Sequence, residues 1–598
     1  MGEIAHSTCL KRRAGIAGLA VLLCALGAFA WFFYAQRHVH VDDAFITYRF
    51  GQRLAEQGTL RWNIRPLDRF DHLDDATRRM LERPVEGYSS FLAVLISAGF
   101  IKAGFSPLTA WKAFGFLLAL LSTLAIALGA RNWLKSRQAS GAMVCFVPMF
   151  LAAFHLANPL TAMHAASGME TILYVTILLA LAALSLQVAV DQGRGRAVWF
   201  FGGLGLLLGM TRPDGVLWFV VVSIALFFSL KPQGSFLGGA RRRLSISITG
   251  GFILPGAVYF LWRVWYFGHL LPATFHAKAA GAERPSPLGR LYTYLPSHWE
   301  LWQYLRDYWL VFFFLFAILC IFVFAVRRST TRRGLRYISR RWFVVIGLFC
   351  ASFLCLSFYA RVLLLMGFGW RFFYPFGQVL LLGLIVPIFV LIDRLRVSRV
   401  LHYSAVALFS LAFVWTGANI ATRMLGVGAG PALTPAVEKS SRPYKRLGMV
   451  LEDVALRVDK QLLVYHHNVG ELFYFAPHTD TVDPVGLVDL PMALEGFSVE
   501  GVVERRADIL LLPSPSRSEV QPKNYVFGIA GVEVFPDISR SVYDHPMTRA
   551  EYTHLGVYTE HRFGKGGGIH VLVRNDLLRE NPWMASLLQE ELDLLPVE

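Results

Sequence analysis

Residues 88-YSSFLAVLISAGFIKAG-104 decide how the chain is threaded. The run is apolar, and whether it crosses a membrane fixes the side on which every later loop falls. Other apolar segments occur near 14–35, 108–130, 141–157, 170–190, 198–211, 215–230, 246–266, 308–326, 342–366, 376–392 and 400–417. If 88–104 crosses, the connection carrying Arg131, Lys135 and Arg137 faces outward, and so does every later basic loop. If 88–104 lies in the interface, the N-terminus and loops 131–140, 191–197, 231–245, 327–341 and 393–399 share the cytoplasmic side. Together these segments hold 22 Lys and Arg but only three acids, Glu3, Asp191 and Asp393. Short loops rich in Lys and Arg stay in the cytoplasm, so the interfacial register is preferred; 327-RRSTTRRGLRYISRR-341 marks it most clearly. The expected fold is an α-helical multi-pass protein of the cytoplasmic membrane with about 11 spans, N-terminus inside and C-terminus outside. The outer face then receives residues 36–107, 267–307 and 418–598, with short loops at 158–169, 211–215 and 367–375.

Composition agrees with a helical bundle in lipid. Of 598 residues 55% are hydrophobic, 47 are Phe and only 17% are charged, against about 25% charged in soluble domains. The net charge of +17 would suit nucleic acid, but the basic residues sit in loops flanking apolar runs, where anionic lipid is the ordinary partner. Nucleic acid is therefore not an expected partner. Five of the six cysteines (Cys24, Cys145, Cys320, Cys350, Cys355) lie in apolar runs and Cys9 in the N-terminal tail. That distribution speaks against structural disulfides, and no Cys/His metal spacing occurs. Lys11-Arg12-Arg13 and an apolar run to Tyr34, with Ala28-Phe29-Ala30, resemble a signal peptide. The run exceeds the usual 7–15 residues of such a segment and reads as an uncleaved first span.

The chain divides at 417/418 into a membrane core, 1–417, and an extracytoplasmic α/β domain, 418–598. Strand-like runs in the latter are 461-QLLVYHH-467, 508-DILLLP-513 and 569-IHVLVR-574, with helical patterns at 442–458 and 582–593.

Candidate chemistry collects in the outer loops. In 41-VDDAFITYRFGQRLAEQG-58, Asp42 and Asp43 follow the first span closely, and Phe45, Tyr48 and Leu54 fall at the spacing of a helix lying on the membrane. Two readings stand: Asp as a helix N-cap, or a carboxylate that takes a proton. The loop ends with 84-PVEGYSSFLAVLISAGF-100, where Glu86 is either a helix-start acid or a third reactive carboxylate. The remaining outer loops, 167-SGMET-171, 211-TRPDG-215, 271-LPATFHAK-278 and 369-GWRFFYP-375, bring Glu170, Arg212, Asp214, His276, Lys278 and Arg371 to helix ends. Each alone suits snorkelling or capping. Jointly they make a surface of acids and bases that suits a phosphate ligand, because Arg and Lys form charge-assisted bonds to phosphate.

These motifs carry a resemblance. DDAFITYR, RPVEGYSSFL, SGMET, TRPDG, LPATFHAK and WRFFYP are together similar to the GT-C superfamily of polyprenyl-phosphate-sugar-dependent glycosyltransferases, and within it to the bacterial terminal β-1,2-arabinofuranosyltransferase group. It covers roughly residues 14–417 and extends loosely beyond. One departure lies in the C-terminal part: 468-NVG-470 has Asn468 where the pattern has an acid, although 486-GLVD-489 is kept. The resemblance implies inverting transfer of a sugar, arabinofuranose, from a polyprenyl-phosphate donor to an acceptor hydroxyl of a cell-wall or surface glycan or glycoprotein. It implies Asp42 or Asp43 as base, with the first acid favoured, and Glu86 as the further catalytic candidate. Arg49, Tyr88, Glu170, Arg212, Asp214, His276, Lys278 and Arg371 would bind substrate, with Lys278 and Arg371 on the phosphate. A divalent cation is left unassigned. Competing classes are a non-catalytic scaffold and a lipid-linked sugar transporter, which would use ionisable groups near the bilayer midplane; here Lys112 and Arg361 lie inside apolar runs and Arg263 lies near a span end.

Overall fold

The computed structural model describes residues 2–64, 67–232, 238–280, 302–306, 308, 342–359, 370–380, 411, 414–422, 443–514, 516–520, 525–527, 532–535, 538–559 and 568–596. Five helices among them are long and apolar enough to cross a membrane: Lys11–Ala35, Pro107–Ser136, Thr171–Asp191, Ala240–Phe267 and Trp342–Tyr359. A sixth crossing results if Gly141–Leu156 and Pro159–Ala166, bent by 56° at a short break, form one broken span. The chain is thus a mostly helical, multi-pass membrane protein, with five or six crossings among the described residues against the 11 expected. The expected segments 308–326, 376–392 and 400–417 fall largely outside those residues. Helix Phe91–Lys102, in the segment that set the register, has 12 residues. At about 1.5 Å per residue it is far shorter than the ~30 Å hydrocarbon layer.

Two compact units divide the chain. One gathers Met1–Val39, Trp111–Tyr259 and Ser297–Ala436; the other gathers His40–Ala110, Phe260–Pro296 and Val437–Glu598. The units do not follow the linear division at 417/418, since the first long loop belongs with the C-terminal segment.

The first unit holds most of the apolar helices. Its broken span follows from Asn158-Pro159: proline removes an N–H and disfavours helical backbone in the residue before it. Asn158 Oδ1 then accepts from Leu160 N at 3.1 Å and restarts the helix. The side chains of Asn158 and His155 at the break are hydrogen-bonded, as a low-dielectric surrounding favours. Asn158 Nδ2 donates to Tyr308 Oη at 2.9 Å, and His155 lies between Ser122 Oγ at 2.8 Å and Gln378 Oε1 at 3.3 Å.

The second unit is α/β. Its five-stranded sheet runs β2 (Thr479–Val482), β1 (Leu462–Tyr465), β3 (Ile509–Ser514), β7 (Gly568–Arg574), β6 (Tyr552–Tyr558), and β4 (Tyr525–Phe527) pairs β5 (Val532–Phe535) apart from it. The strands β2, β1 and β3 are parallel; β7 is antiparallel to both β3 and β6. Leu462, Val464, Ile509 and Leu511 face helices Pro443–Val458 and Trp583–Glu591 through Leu447, Leu451 and Leu588. Leu463, Tyr465, Leu510 and Leu512 face Val502 and Val542. A sheet covered on both faces explains why these strands read as continuous apolar runs.

The outer edge of β2 is closed by the first long loop. The Asn63 side chain donates to Thr481 O at 2.9 Å and accepts from Thr481 N at 2.8 Å, imitating a neighbouring strand. Trp62 Nε1 adds a bond to Thr481 Oγ1 at 3.1 Å. An uncovered edge would invite pairing with another chain. Asn63→Ala removes both amide bonds and is expected to cost about 1–3 kcal/mol, read as a lower melting temperature with more aggregation on heating. An unchanged melt would mean that the edge is held by other contacts.

Candidate functional site

Helix Asp42–Gln57 organises the second unit's acid cluster. Its N-cap is Val41, which offers no side-chain bond, so neither Asp caps this helix. Both acids lie in the first turn, where the helix dipole favours negative charge. Asp42, Phe45, Arg49 and Arg53, at i, i+3, i+7 and i+11, share one helical face, and that face meets segment 470–479. Asp42 Oδ2 accepts from Gly470 N at 3.0 Å and Oδ1 from Glu471 N at 2.8 Å. The Phe45 ring lies 5.4 Å from Tyr474 and 6.0 Å from Phe475. Arg49 is 1% exposed and donates to the carbonyls of Thr479 at 2.5 Å, Ala476 at 3.2 Å and Phe473. Burial holds its guanidinium well below the ordinary value, with Arg53 acting in the same direction. Arg53 reaches Pro477 O at 2.7 Å, and His40 Nε2 lies 3.6 Å from Glu471 Oε1. Arg49 therefore clamps the helix to the 473–479 backbone. The capping expectation changes too, because Asp42 holds a backbone turn more than 400 residues away.

The glycine of 468-NVG-470, not residue 468, makes this contact. A Cβ at 470 would fall 2.1 Å from Asp42 O and 2.3 Å from its Oδ2.

The second motif has a comparable structural setting. Glu86 is 6% exposed and takes a fork from Arg263, Nε to Oε1 at 2.9 Å and Nη2 to Oε2 at 2.5 Å. Burial pushes the Glu86 carboxyl up, and Arg263 pulls it back. Arg263 also donates to Leu270 O at 2.8 Å. Glu86 is not the helix-start acid: Ser90 caps Phe91–Lys102 by accepting from Ala93 N at 3.2 Å. Tyr88 is buried with its ring 4.9 Å from Phe50. A Cβ on Gly87 would fall 2.6 Å from Val488 Cγ1 and 2.8 Å from Leu487 O, so the PVEGY segment lies directly against 486-GLVD-489. That segment is a built turn. Gly486 has φ +80°, and Asp489 caps helix Leu490–Glu495 while pairing with buried Arg505. Asp483 accepts from Val485 N at 2.9 Å and Val488 N at 3.0 Å, and burial pushes its carboxyl up to about 7. His276 is half-buried on helix Ala273–Ala280, beside Phe275; the Lys278 side chain lies outside the described residues.

The first unit carries its own cluster. Arg212 is 4% exposed and donates Nε to Asp214 Oδ1 at 3.2 Å, Nη2 to Tyr359 Oη at 2.6 Å and Nη1 to Arg371 O at 3.3 Å. Tyr174 Oη donates to Asp214 Oδ2 at 2.8 Å, and the Arg212 guanidinium lies 5.0 Å from the ring centres of Tyr174 and Phe372. TRPDG, the first turn of Thr171–Asp191 and WRFFYP are thereby joined, and Arg212 is taken up in joining them. Arg371 is 6% exposed and lies over Phe372; Glu170, 7% exposed, is the N-cap residue of Thr171–Asp191 and makes no side-chain capping bond. Lys112, a candidate for a transport pathway, donates Nζ to Val39 O at 2.8 Å and to Arg37 O, carbonyls just past the first helix. Arg361 lies outside the described residues. Among the described residues no group of three or more His, Cys, Asp or Glu is arranged to hold a metal ion.

Sequence reading missed Gly470, Asp483, Tyr174 and Tyr359. The only available signals were short motifs whose partners lie far along the chain.

No protein-family model matches the chain, and no curated protein matches it. Among solved structures, the Archaeoglobus fulgidus oligosaccharyltransferase in complex with zinc and sulfate is 13% identical at a TM-score of 0.46, covering 82% of this chain and 67% of that one. The same organism's oligosaccharyltransferase AglB, in complex with an inhibitory peptide and a dolichol-phosphate, is 12% identical at 0.46, covering 90% and 79%. A likeness at that TM-score carries no weight for function.

Proposed function

We propose that this multi-pass chain is a GT-C glycosyltransferase that moves a sugar, arabinofuranose, from a polyprenyl phosphate to an acceptor hydroxyl on the outer face of the cytoplasmic membrane. The observation that carries this reading is the acid pair at the first turn of Asp42–Gln57, with Asp42 fixed by two peptide N–H groups. Motifs behind the resemblance also meet segments far along the chain: DDAF meets NVG, PVEGY meets GLVD, and TRPDG meets WRFFYP.

In this reading the acceptor oxygen attacks the anomeric carbon, the bond to the phosphate oxygen breaks, and the lipid phosphate leaves with the electron pair. The acceptor proton passes to Asp43. Of the three acids, Asp42 would weaken two charge-assisted bonds by taking a proton, and Glu86 is forked by Arg263. Asp43 shares its helical face with Ile46 and Phe50, the latter against Tyr88 of the second motif. On these bonds we assign the proton to Asp43, the second acid of the pair, where the resemblance favours the first. Lys278 serves the leaving phosphate, where cations stabilise growing charge. A single displacement inverts the anomeric centre.

A deletion strain tests this in the cell. Its wall and surface glycans should lack one terminal sugar by mass spectrometry, while the matching polyprenyl-phosphate sugar accumulates in the membrane. Unchanged glycans and unchanged lipid pools would overturn the reading.

A further inference from the structure

We propose that the Gly470–Glu471 peptide pair is a positioning element for the acid pair, so that the C-terminal segment sets the geometry of the proton-accepting step. This rests on the glycosyltransferase reading above. Two consecutive backbone N–H groups, one on each carboxylate oxygen of Asp42, fix that side chain's rotation as a single bond would not. Asp42 is the first residue of its helix. Fixing it therefore fixes the rotation of the first turn, and Asp43 follows about 100° round the same turn.

Three further contacts hold the same register. Glu471 is 1% exposed and lies 3.6 Å from His40, two residues before Asp42. Phe45 packs on Tyr474 and Phe475, one turn further along. Arg49 then binds the carbonyls of Phe473, Ala476 and Thr479. The row 42, 45, 49 reads against 470–479 in step, and its Asp42 end is the tightest point. There a glycine is required, because any Cβ at 470 would overlap both the carbonyl and the carboxylate of Asp42. This also accounts for Asn468 in place of an acid: the turn acts through its peptide N–H groups, which every residue type supplies at 471 except proline. Gly470 touches no reacting atom in this scheme. It acts through Asp42 on the placement of Asp43.

The test uses full-length protein and transfer from a synthetic polyprenyl-phosphate sugar, with kcat and KM measured separately beside a thermal melt. Gly470→Ala should lower kcat by about tenfold or more, since a shift of about 1 Å in a catalytic group can cost ~10²-fold, and leave KM for the donor unchanged. Asp42→Asn keeps one oxygen acceptor and should be faster than Asp42→Ala, a rescue that loss of packing alone would not give. Wild-type kcat in Gly470→Ala would overturn the proposal. Should Gly470→Ala fail to fold, the order of Asp42→Asn and Asp42→Ala decides: equal rates overturn it. Asp43→Asn separates the two levels. Full activity there sinks Asp43 as the proton acceptor, the reading on which this proposal rests, whereas a dead Asp43→Asn beside a fully active Gly470→Ala sinks only the positioning role.

Discussion

Asp43→Asn is expected to remain folded, to bind the lipid-linked donor and to lose sugar transfer by ~10²-fold or more, the usual contribution of a general base. Asn keeps the shape of Asp but cannot take the acceptor's proton. Asp43 lies in the first helical turn, where a neutral residue gives up its interaction with the helix dipole, worth about 0.3–1 kcal/mol. The melt should fall far less than the rate. Asp42→Asn should behave in the opposite sense, with a moderate loss of rate, because Asp42 is bonded to Gly470 and Glu471. A severe loss in Asp42→Asn beside full activity in Asp43→Asn would return the base to Asp42. Full activity in both, and in the double variant, would remove the pair from the chemistry.

The largest stability effect is expected at Glu86 and Arg263. Both are buried, at 6% and 7% exposure, and Arg263 grips both oxygens of Glu86. Arg263→Met leaves a carboxylate buried without its partner, which costs about 3–5 kcal/mol. Glu86→Gln leaves the guanidinium in the same position. The double variant Arg263→Met/Glu86→Gln should recover most of the loss, since a buried pair often contributes little net stability over neutral side chains. Thermal melts of the three proteins in one detergent check this. A double variant as unstable as the worse single one would mean that the pair holds the 84–90 segment by more than mutual neutralisation.

The parts of this structure legible from sequence are those set by local pattern. The strands Leu462–Tyr465, Ile509–Ser514 and Gly568–Arg574 coincide with the apolar runs, and Pro443–Val458 and Trp583–Glu591 with the helical periodicity. Thr479–Val482 was not legible: with the sequence TDTV its identity as a strand comes from pairing to β1 and from the Asn63 amide on its other edge. The site was legible as a set of residue types but not as a set of partners. Asp42, Glu86 and Arg212 stood out as charges in short motifs. That Asp42 meets Gly470, that Glu86 meets Arg263, and that Arg212 meets Tyr359 are contacts made by tertiary packing, with no trace in local spacing. Arg49 is another such case: its motif gave no sign that its guanidinium satisfies the carbonyls of 473–479.

The most direct test of the central claim is transfer in detergent solution, where the membrane has no sides. Purified protein is mixed with synthetic polyprenyl-phosphate arabinofuranose and an arabinan acceptor, and glycan product and free polyprenyl phosphate are followed together. The account predicts one lipid phosphate released for each sugar transferred, with inverted anomeric configuration, and both signals absent in Asp43→Asn. A transporter needs two compartments and leaves donor and acceptor unchanged in such a mixture. Intact donor after prolonged incubation with folded wild-type protein would contradict the account.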